Sequence, residues 1–255
     1  IFLSACGGGG EGGSVEDPGG NPDPGTGMYS AAQRISATDR IADKFEQLAA
    51  SGGADTATWT QLRDWVLTQP EFMAAGVGER TLWAQFKDGR YFLYTDNWRA
   101  LPDGSSVQTK RSAPAAVSAT GEIPGSADAL VLGFTGEEFE AGAGAMSQMS
   151  RALRERGWKV GQNTALTVEA LKSGGQLGFL FLTSHSGQLG PEGKKEFAVM
   201  TETEVTVANE LGYLADLRDG SLIYHRDRTN WQRFGLSKSP RYAVTAAFVN
   251  KYLRF

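Results

Sequence analysis

Apolar residues recur every three or four positions over residues 30–50, a spacing that places them on one face of a helix. A Gly-Gly pair at 52–53 follows this stretch and predicts where the helix ends. A second apolar stripe begins after Asp55 or Thr56, either of which can cap a helix, and it stops before a proline. The pattern therefore predicts two helices that pack on a core, and nothing in them indicates chemistry.

The period of the pattern then changes from helical to alternating. After a turn predicted over 70–75, two β-rich runs at 81–86 and 90–94 flank Lys87-Asp88-Gly89. Asp-Gly between two such runs is a strong hairpin signal. Residues 96–126 are rich in Pro, Ser, Gly and Ala, which predicts a linker or a long surface loop.

The segment that follows alternates strands with helices. Its predicted elements are a strand at 129–134, a helix at 139–156, a strand at 158–160, a helix capped by Thr167 and running through Leu171, and a strand at 177–183. A β-α-β-α-β order implies a parallel sheet covered by helices. In such sheets the active site lies beyond the carboxyl ends of the strands.

Two further β-rich stretches follow, at 197–207 and 221–224, and residues 242–253 have the pattern of a helix. The sequence begins with Ile1 rather than Met and ends inside that predicted helix, so we expect a fragment. The expected organisation has three parts: a tether at 1–28, a small helical and β-hairpin region with a linker at 29–126, and an α/β domain at 127–255.

Composition and charge narrow the function classes. The chain has 255 residues, of which 40% are hydrophobic and 21% charged, as in globular proteins. Its apolar runs reach only about six residues, too few for an internal segment to span a bilayer. Residues 28–255 carry 25 basic and 25 acidic residues, so no net positive charge favours nucleic acid. A single cysteine excludes a disulfide framework and any multi-cysteine metal site, and we expect neither a metal nor a cofactor.

Leu3-Ser4-Ala5-Cys6 resembles the lipobox of bacterial lipoproteins, in which the cysteine is diacylated and becomes the mature N-terminus. The resemblance implies lipidation at Cys6, anchoring to a membrane and a location in the bacterial cell envelope, facing the periplasm or the outside. Residues 7–28 are Gly-rich and acidic and predict a disordered spacer, which would hold the body roughly 25 Å from the membrane. The alternative is a chance Leu-Ser-Ala-Cys at the end of a fragment.

His185 lies where the α/β pattern predicts chemistry, because Ser184-His185-Ser186-Gly187 directly follows the strand at 177–183. It is one of two histidines in the chain. The strand at 177–183 is the third strand of the predicted order, and a His with a Gly close behind it follows this buried strand. This pattern resembles the histidine motif of caspase-like cysteine peptidases. The sequence departs from many members of that family, because Ser186 separates the His from the Gly.

The resemblance implies a caspase-like parallel sheet flanked by helices and incomplete in this chain, with the small region at 29–126 in front of it. It also implies a protein or peptide substrate, His185 as general base and acid, and a backbone N–H near Gly187 that helps to hold the oxyanion. The nucleophilic cysteine of the family ends the next long parallel strand, which we expect beyond residue 255. Cys6 is assigned to the lipid anchor and not to catalysis.

Four other interpretations compete with this one. In the first, His185 makes a structural hydrogen bond at the end of a strand and has no catalytic role. A serine hydrolase using Ser184 or Ser186 is disfavoured, because neighbours on an extended chain point to opposite faces and no G-x-S-x-G occurs. His225 and Asp227 are too few for a metal site, and a solvated loop is favoured there. The alternative function class is a non-catalytic surface lipoprotein that binds a protein or a glycan.

Overall fold

The structure is a computed structural model, and it describes residues 2–4, 29–78, 80–96, 126–133, 140–163, 165–191, 196–228 and 239–255. The elements before residue 126 are β1 (Phe2–Ser4), α1 (Ala31–Gly52), α2 (Thr56–Val66), β2 (Phe72–Gly78), β3 (Thr81–Phe86) and β4 (Tyr91–Thr95). Those from 126 to 191 are β5 (Asp128–Gly133), α3 (Glu140–Arg154), β6 (Lys159–Asn163), α4 (Val168–Lys172), β7 (Gly175–Gln176), β8 (Phe179–Thr183) and β9 (Ser186–Leu189). The last are β10 (Glu196–Glu204), α5 (Val207–Gly212), α6 (Leu214–Arg218), β11 (Leu222–Asp227), β12 (Arg241–Thr245), α7 (Ala246–Tyr252) and β13 (Leu253–Arg254).

Four strands form a parallel sheet in the order β1-β8-β5-β6. Helix α3 packs on one face of this sheet, where Met146 and Leu153 meet Val131 and Phe181. The predicted β-α-β-α-β order is thus confirmed for β5, α3, β6, α4 and β8. At the edge of the sheet, Ser4 lies opposite Thr183, so the backbone of β1 runs alongside β8 in the same direction.

Seven strands form a second sheet in the order β2-β3-β4-β11-β12-β10-β9. Its pairs are antiparallel except for β4 with β11, which run parallel. This sheet takes β2, β3 and β4 from the region before residue 96 and the other four strands from the region after 185. The two regions that the sequence analysis separated near residue 125 therefore share one sheet.

The seven-stranded sheet curls until its last strand, β9, lies against β3 and β4. A Cβ placed on Gly187 in β9 would come within 2.9 Å of Leu93 and 3.0 Å of Thr95, both in β4. The enclosed side, called the inner face below, carries a small apolar cluster of Trp83, Tyr91, Leu93, Leu189, Ala198, Ile223 and Ala243. The outer face carries the main core, into which α1 and α2 pack.

The two N-terminal helices are confirmed, and their caps explain where they begin. Ser30 and Gln33 form a capping box at the start of α1, with hydrogen bonds of 2.7 and 3.2 Å. Asp55, the first of the two predicted candidates, caps α2 by accepting a 2.8 Å hydrogen bond from the Thr58 N–H.

A buried arginine ties α1 to the seven-stranded sheet. The guanidinium of Arg34 donates to Asp88 at 2.7 Å, to the Tyr224 hydroxyl at 3.1 Å and to Glu210. The Tyr224 hydroxyl donates in turn to Glu210 at 2.5 Å. Arg90 lies 3.1 Å from Asp88 and 3.3 Å from Glu210, so two cations face two carboxylates inside the protein. Buried charges are tolerated only when they are paired in this way.

Two local predictions were wrong. The expected turn at 70–75 is instead the start of β2, Phe72–Gly78. The helix expected at 242–253 is only partly present. Arg241–Thr245 forms the buried strand β12, and Ala246–Tyr252 forms α7. The β-branched and aromatic residues of that stretch pair with β10 and β11, which overrides the helical spacing. The predicted spacer at 7–28 and most of the predicted linker at 96–126 lie outside the described residues.

The predicted α/β class is confirmed in its general form, which is a mixed α/β fold with a mostly sheet core flanked by helices. Within the described part of the chain, no helix has the length and apolar character needed to span a membrane.

Candidate functional site

His185 lies at the point where the chain passes from one sheet to the other. Strand β8 belongs to the parallel sheet and ends at Thr183, and β9 begins at Ser186 in the seven-stranded sheet. The backbone at the crossing is fixed, because the His185 carbonyl accepts a 2.9 Å hydrogen bond from the Met200 N–H. The structure therefore confirms the predicted position of His185 at the carboxyl end of a parallel strand.

The imidazole of His185 meets a buried carboxylate that the sequence analysis did not assign to it. Nδ1 of His185 lies 2.7 Å from Oδ2 of Asp227, the last residue of β11. The His185 side chain is 3% exposed and the Asp227 side chain is fully buried. Burial acts to raise the pKa of Asp227, but the facing His185 and the hydroxyl of Thr95 outweigh it and hold that pKa well below its usual range. Asp227 is therefore an anion at neutral pH.

Thr95 and His225 complete the cluster. The Thr95 hydroxyl donates a 2.8 Å hydrogen bond to Oδ2 of Asp227 and lies 3.1 Å from Nε2 of His225. His225 is buried, and this burial lowers its pKa to about 4, against an opposing attraction from Asp227 and with repulsion from His185. His225 is therefore neutral at neutral pH.

The prediction of a solvated loop around His225 and Asp227 was wrong. Every residue of β11, Leu222–Asp227, is buried, because β4 and β12 flank the strand and both faces of the sheet are covered. Alternation along β11 places His225 and Asp227 on the inner face with Ile223. A signal was present, since this alternation simply continues the β-rich stretch predicted at 221–224. Among the described residues, no group of three or more His, Cys, Asp or Glu side chains could hold a metal ion.

The serines beside His185 have different environments. The Ser184 side chain is buried and donates a hydrogen bond to the carbonyl of Met200, which ties it to β10. Ser186 begins β9 and lies opposite Val199 of β10. Ser184 is therefore held in place by the sheet crossing, and this gives no support to its use as a nucleophile.

Gly187 packs closely against the seven-stranded sheet. It is buried in β9 opposite Ala198, and a side chain at this position would press on Leu93 and Thr95 of β4. The close approach explains why this position is glycine. Its assignment to the oxyanion site stays a prediction. Cys6 lies outside the described residues, and so lipidation there also stays a prediction.

A cavity of about 590 Å³ opens at the other end of the inner face. Strand β4 connects the two ends, because Tyr91 lines the cavity and Thr95 contacts Asp227. Trp83 and Leu189 also line the cavity, and Glu196 and Asp219 are its acidic residues. The sequence allowed the aromatics of the hairpin at 81–94 to form a ligand platform but favoured a half-buried sheet face, and it did not indicate the acidic residues of the lining.

The arrangement around His185 can support proton transfer. A carboxylate that accepts from Nδ1 fixes the proton on that nitrogen and leaves the lone pair on Nε2, the form needed in a general base. The same carboxylate stabilises the imidazolium after the proton has moved. Family models, curated proteins and solved structures were all searched, and none matches this chain.

Proposed function

We propose that the chain carries the histidine half of a caspase-like cysteine peptidase site, with His185 as general base and acid and Asp227 as the residue that orients it. The observation that carries the proposal is the 2.7 Å contact between Nδ1 of His185 and the buried Asp227 carboxylate, at the carboxyl end of β8. Hydrolytic enzymes on unrelated folds hold a catalytic histidine in this way.

The order of the parallel sheet supports the same proposal. Strands β5, β6 and β8 correspond to the first, second and third strands of the resemblance, and β5 lies between the other two. The family's nucleophile ends the next parallel strand. The outer edge of β8 accepts a parallel strand, since β1 pairs there. Because Ser4 lies opposite Thr183, a strand in this position runs towards the end of β8 that carries His185.

The proposed reaction begins when Nε2 of His185 takes the proton of the cysteine thiol. The thiolate attacks the scissile carbonyl carbon, and the resulting oxyanion accepts hydrogen bonds from backbone N–H groups, of which one near Gly187 is the candidate. The imidazolium then gives its proton to the leaving amine as the C–N bond breaks. Water, deprotonated by the same imidazole, hydrolyses the thioester and restores the thiol. The nucleophilic cysteine is expected to follow residue 255.

The lipoprotein resemblance supplies the proposed location. Diacylation at Cys6 would anchor the protein in a membrane of the bacterial cell envelope, facing the periplasm or the outside, and the segment at 7–28 would separate it from the lipid surface. The residues of β1 then belong to the leader that is removed before Cys6. Its removal would vacate the outer edge of β8 for the strand that carries the nucleophile.

Labelling of the protein encoded by the complete gene, with a thiol-directed peptidase probe and mass spectrometry, tests the peptidase proposal. We expect the probe on a cysteine after residue 255, with labelling abolished in His185→Ala and reduced at least tenfold in Asp227→Asn. Cys6→Ser is the matched control and should label as the parent does. Labelling that survives in His185→Ala, or a protein that takes up no probe, would refute the assignment.

One observation favours a second candidate, a non-catalytic surface lipoprotein that binds a glycan or a protein. Trp83 and Tyr91 line the cavity on the inner face, and aromatic rings with an accessible face are common in binding sites. Titration with soluble oligosaccharides, followed by tryptophan fluorescence, tests the glycan form of this candidate. Saturable quenching that is lost in Trp83→Leu and retained in Trp65→Leu supports it, and the absence of quenching contradicts it.

A further inference from the structure

The hydrogen bonds around Asp227 have only one consistent direction. Asp227 is ionised, so its Oδ2 accepts from both Nδ1 of His185 at 2.7 Å and the Thr95 hydroxyl at 2.8 Å. A threonine hydroxyl has a single proton to donate, and here it is donated in the hydrogen bond to the carboxylate. The 3.1 Å contact between Thr95 and Nε2 of His225 must then have the histidine as the donor.

The other nitrogen of His225 agrees with this direction. Within the described residues, the buried Nδ1 of His225 has no hydrogen-bond partner. A proton on that nitrogen would leave a buried N–H donor unpaired, which costs about 1–3 kcal/mol. With the proton on Nε2, the donor is satisfied by Thr95 and only a lone pair is left at Nδ1. The neutral form of His225 required here is the one that its burial favours.

We propose that Thr95 and His225 are positioning residues of the His185 site. His225 donates from Nε2 to Thr95, Thr95 donates to Asp227, and Asp227 in turn holds the proton of His185 on Nδ1. The chain of bonds joins three strands, because Thr95 is in β4, His225 and Asp227 are in β11, and His185 follows β8. The catalytic importance of this chain rests on the proposed peptidase function, but its geometry does not.

The packing shows why Thr95 is suited to this role. Its methyl group faces Gly187 of β9, at the position where a Cβ on that glycine would come within 3.0 Å. The β-branched side chain therefore has its methyl and hydroxyl directed to different partners, which restricts its rotation. The Asp227 carboxylate consequently meets a hydroxyl that is already oriented, and this lowers the entropic cost of the hydrogen bond.

Nitrogen-15 NMR of the imidazole rings tests the proposal directly. The chain has two histidines, so long-range proton–nitrogen spectra at neutral pH contain two ring systems, and His225→Gln assigns them. We expect His185 to carry its proton on Nδ1 and His225 to carry its proton on Nε2. A spectrum in which His225 is protonated on Nδ1, or in which Nδ1 of His185 carries no proton, overturns the proposal.

A pair of variants at Thr95 separates positioning from packing. Thr95→Val keeps the shape but removes the hydroxyl, and Thr95→Ser keeps the hydroxyl. We expect Thr95→Val to shift the His185 Nδ1–H resonance and to accelerate its exchange with water at least tenfold, while Thr95→Ser restores the parent behaviour. An unchanged resonance in a folded Thr95→Val protein contradicts the role of Thr95. If Thr95→Val does not fold, the tautomers of the parent protein still decide the proposal.

These measurements do not depend on activity. A protein that shows the expected tautomers but takes up no peptidase probe retains the inferred hydrogen-bond chain and loses the proposed function. If probe labelling depends on His185 but His225 carries its proton on Nδ1, the proposed function stands and the inferred hydrogen-bond chain is wrong.

Discussion

Replacing His225 by Gln should make the stability of the protein less dependent on pH. Burial lowers the pKa of His225 from an ordinary value of 6.5 to about 4. As the pH falls below 6.5, the histidine of the unfolded chain takes up a proton, while the buried ring in the folded protein stays neutral until about pH 4. The unfolded state therefore binds more protons in this window, and acidification favours it.

The size of the effect follows from the two pKa values. The stability that neutral His225 contributes is fully present above pH 6.5 and is lost as the pH falls towards 4. Between neutral pH and about pH 4.5, the linkage removes about 2–3 kcal/mol from the free energy of unfolding. Gln at this position does not titrate, and its amide N–H can still donate to Thr95. The variant should therefore lack this part of the acid sensitivity.

Urea unfolding at several pH values, followed by tryptophan fluorescence, measures the difference. The carboxylates that also titrate near pH 4 are common to both proteins, so comparing the two slopes removes their contribution. We expect the parent to lose about 2–3 kcal/mol more than His225→Gln on acidification to about pH 4.5. Equal losses in the two proteins would refute the argument that His225 is buried and neutral.

Three further predictions concern the core. Arg34→Met should lower the free energy of unfolding by about 3–5 kcal/mol, since it removes one cation from the buried cluster with Glu210. Arg40 is 42% exposed, so the control variant Arg40→Met should lower it by less than about 1 kcal/mol. Chemical denaturation at neutral pH measures both. Gly187→Ala should lower the free energy of unfolding by about 1–3 kcal/mol, because the alanine methyl group would press on Leu93. An unchanged free energy of unfolding would contradict the close packing of β9. Leu93→Ala should lower the free energy of unfolding by about 2–5 kcal/mol, and a loss below 1 kcal/mol would show that the inner face is not a packed cluster.

The elements that the sequence predicted well are those with a local physical cause. The helical stripe at 30–50 and the Asp-Gly hairpin both depend on residues close together in the chain, and both are present. The position of His185 also followed from a local pattern, because a buried strand delivers the residue that comes after it.

Long-range pairing limited the rest. Nothing near β4 in the sequence indicates that it lies beside β11, and without that pairing Asp227 cannot be assigned to His185. The stretch 242–253 satisfies helical spacing as well as a strand followed by a helix, and only its partners in the sheet decide between them. The local sequence pattern was therefore enough to predict the position of His185. Its partner Asp227 could be found only from the strand pairing in the structure.

The parallel pairing of β4 with β11 has a consequence for how the protein is made. The contact between Thr95 and Asp227 joins residues 132 positions apart, and contacts at such separation form slowly, because a long loop must close first. During synthesis, β4 would have β3 as a partner on one side and no partner on the other until β11 emerges. We therefore expect the seven-stranded sheet to be completed late in synthesis, after β11 has emerged. Such a delay would suit export of the chain to the proposed location in the cell envelope.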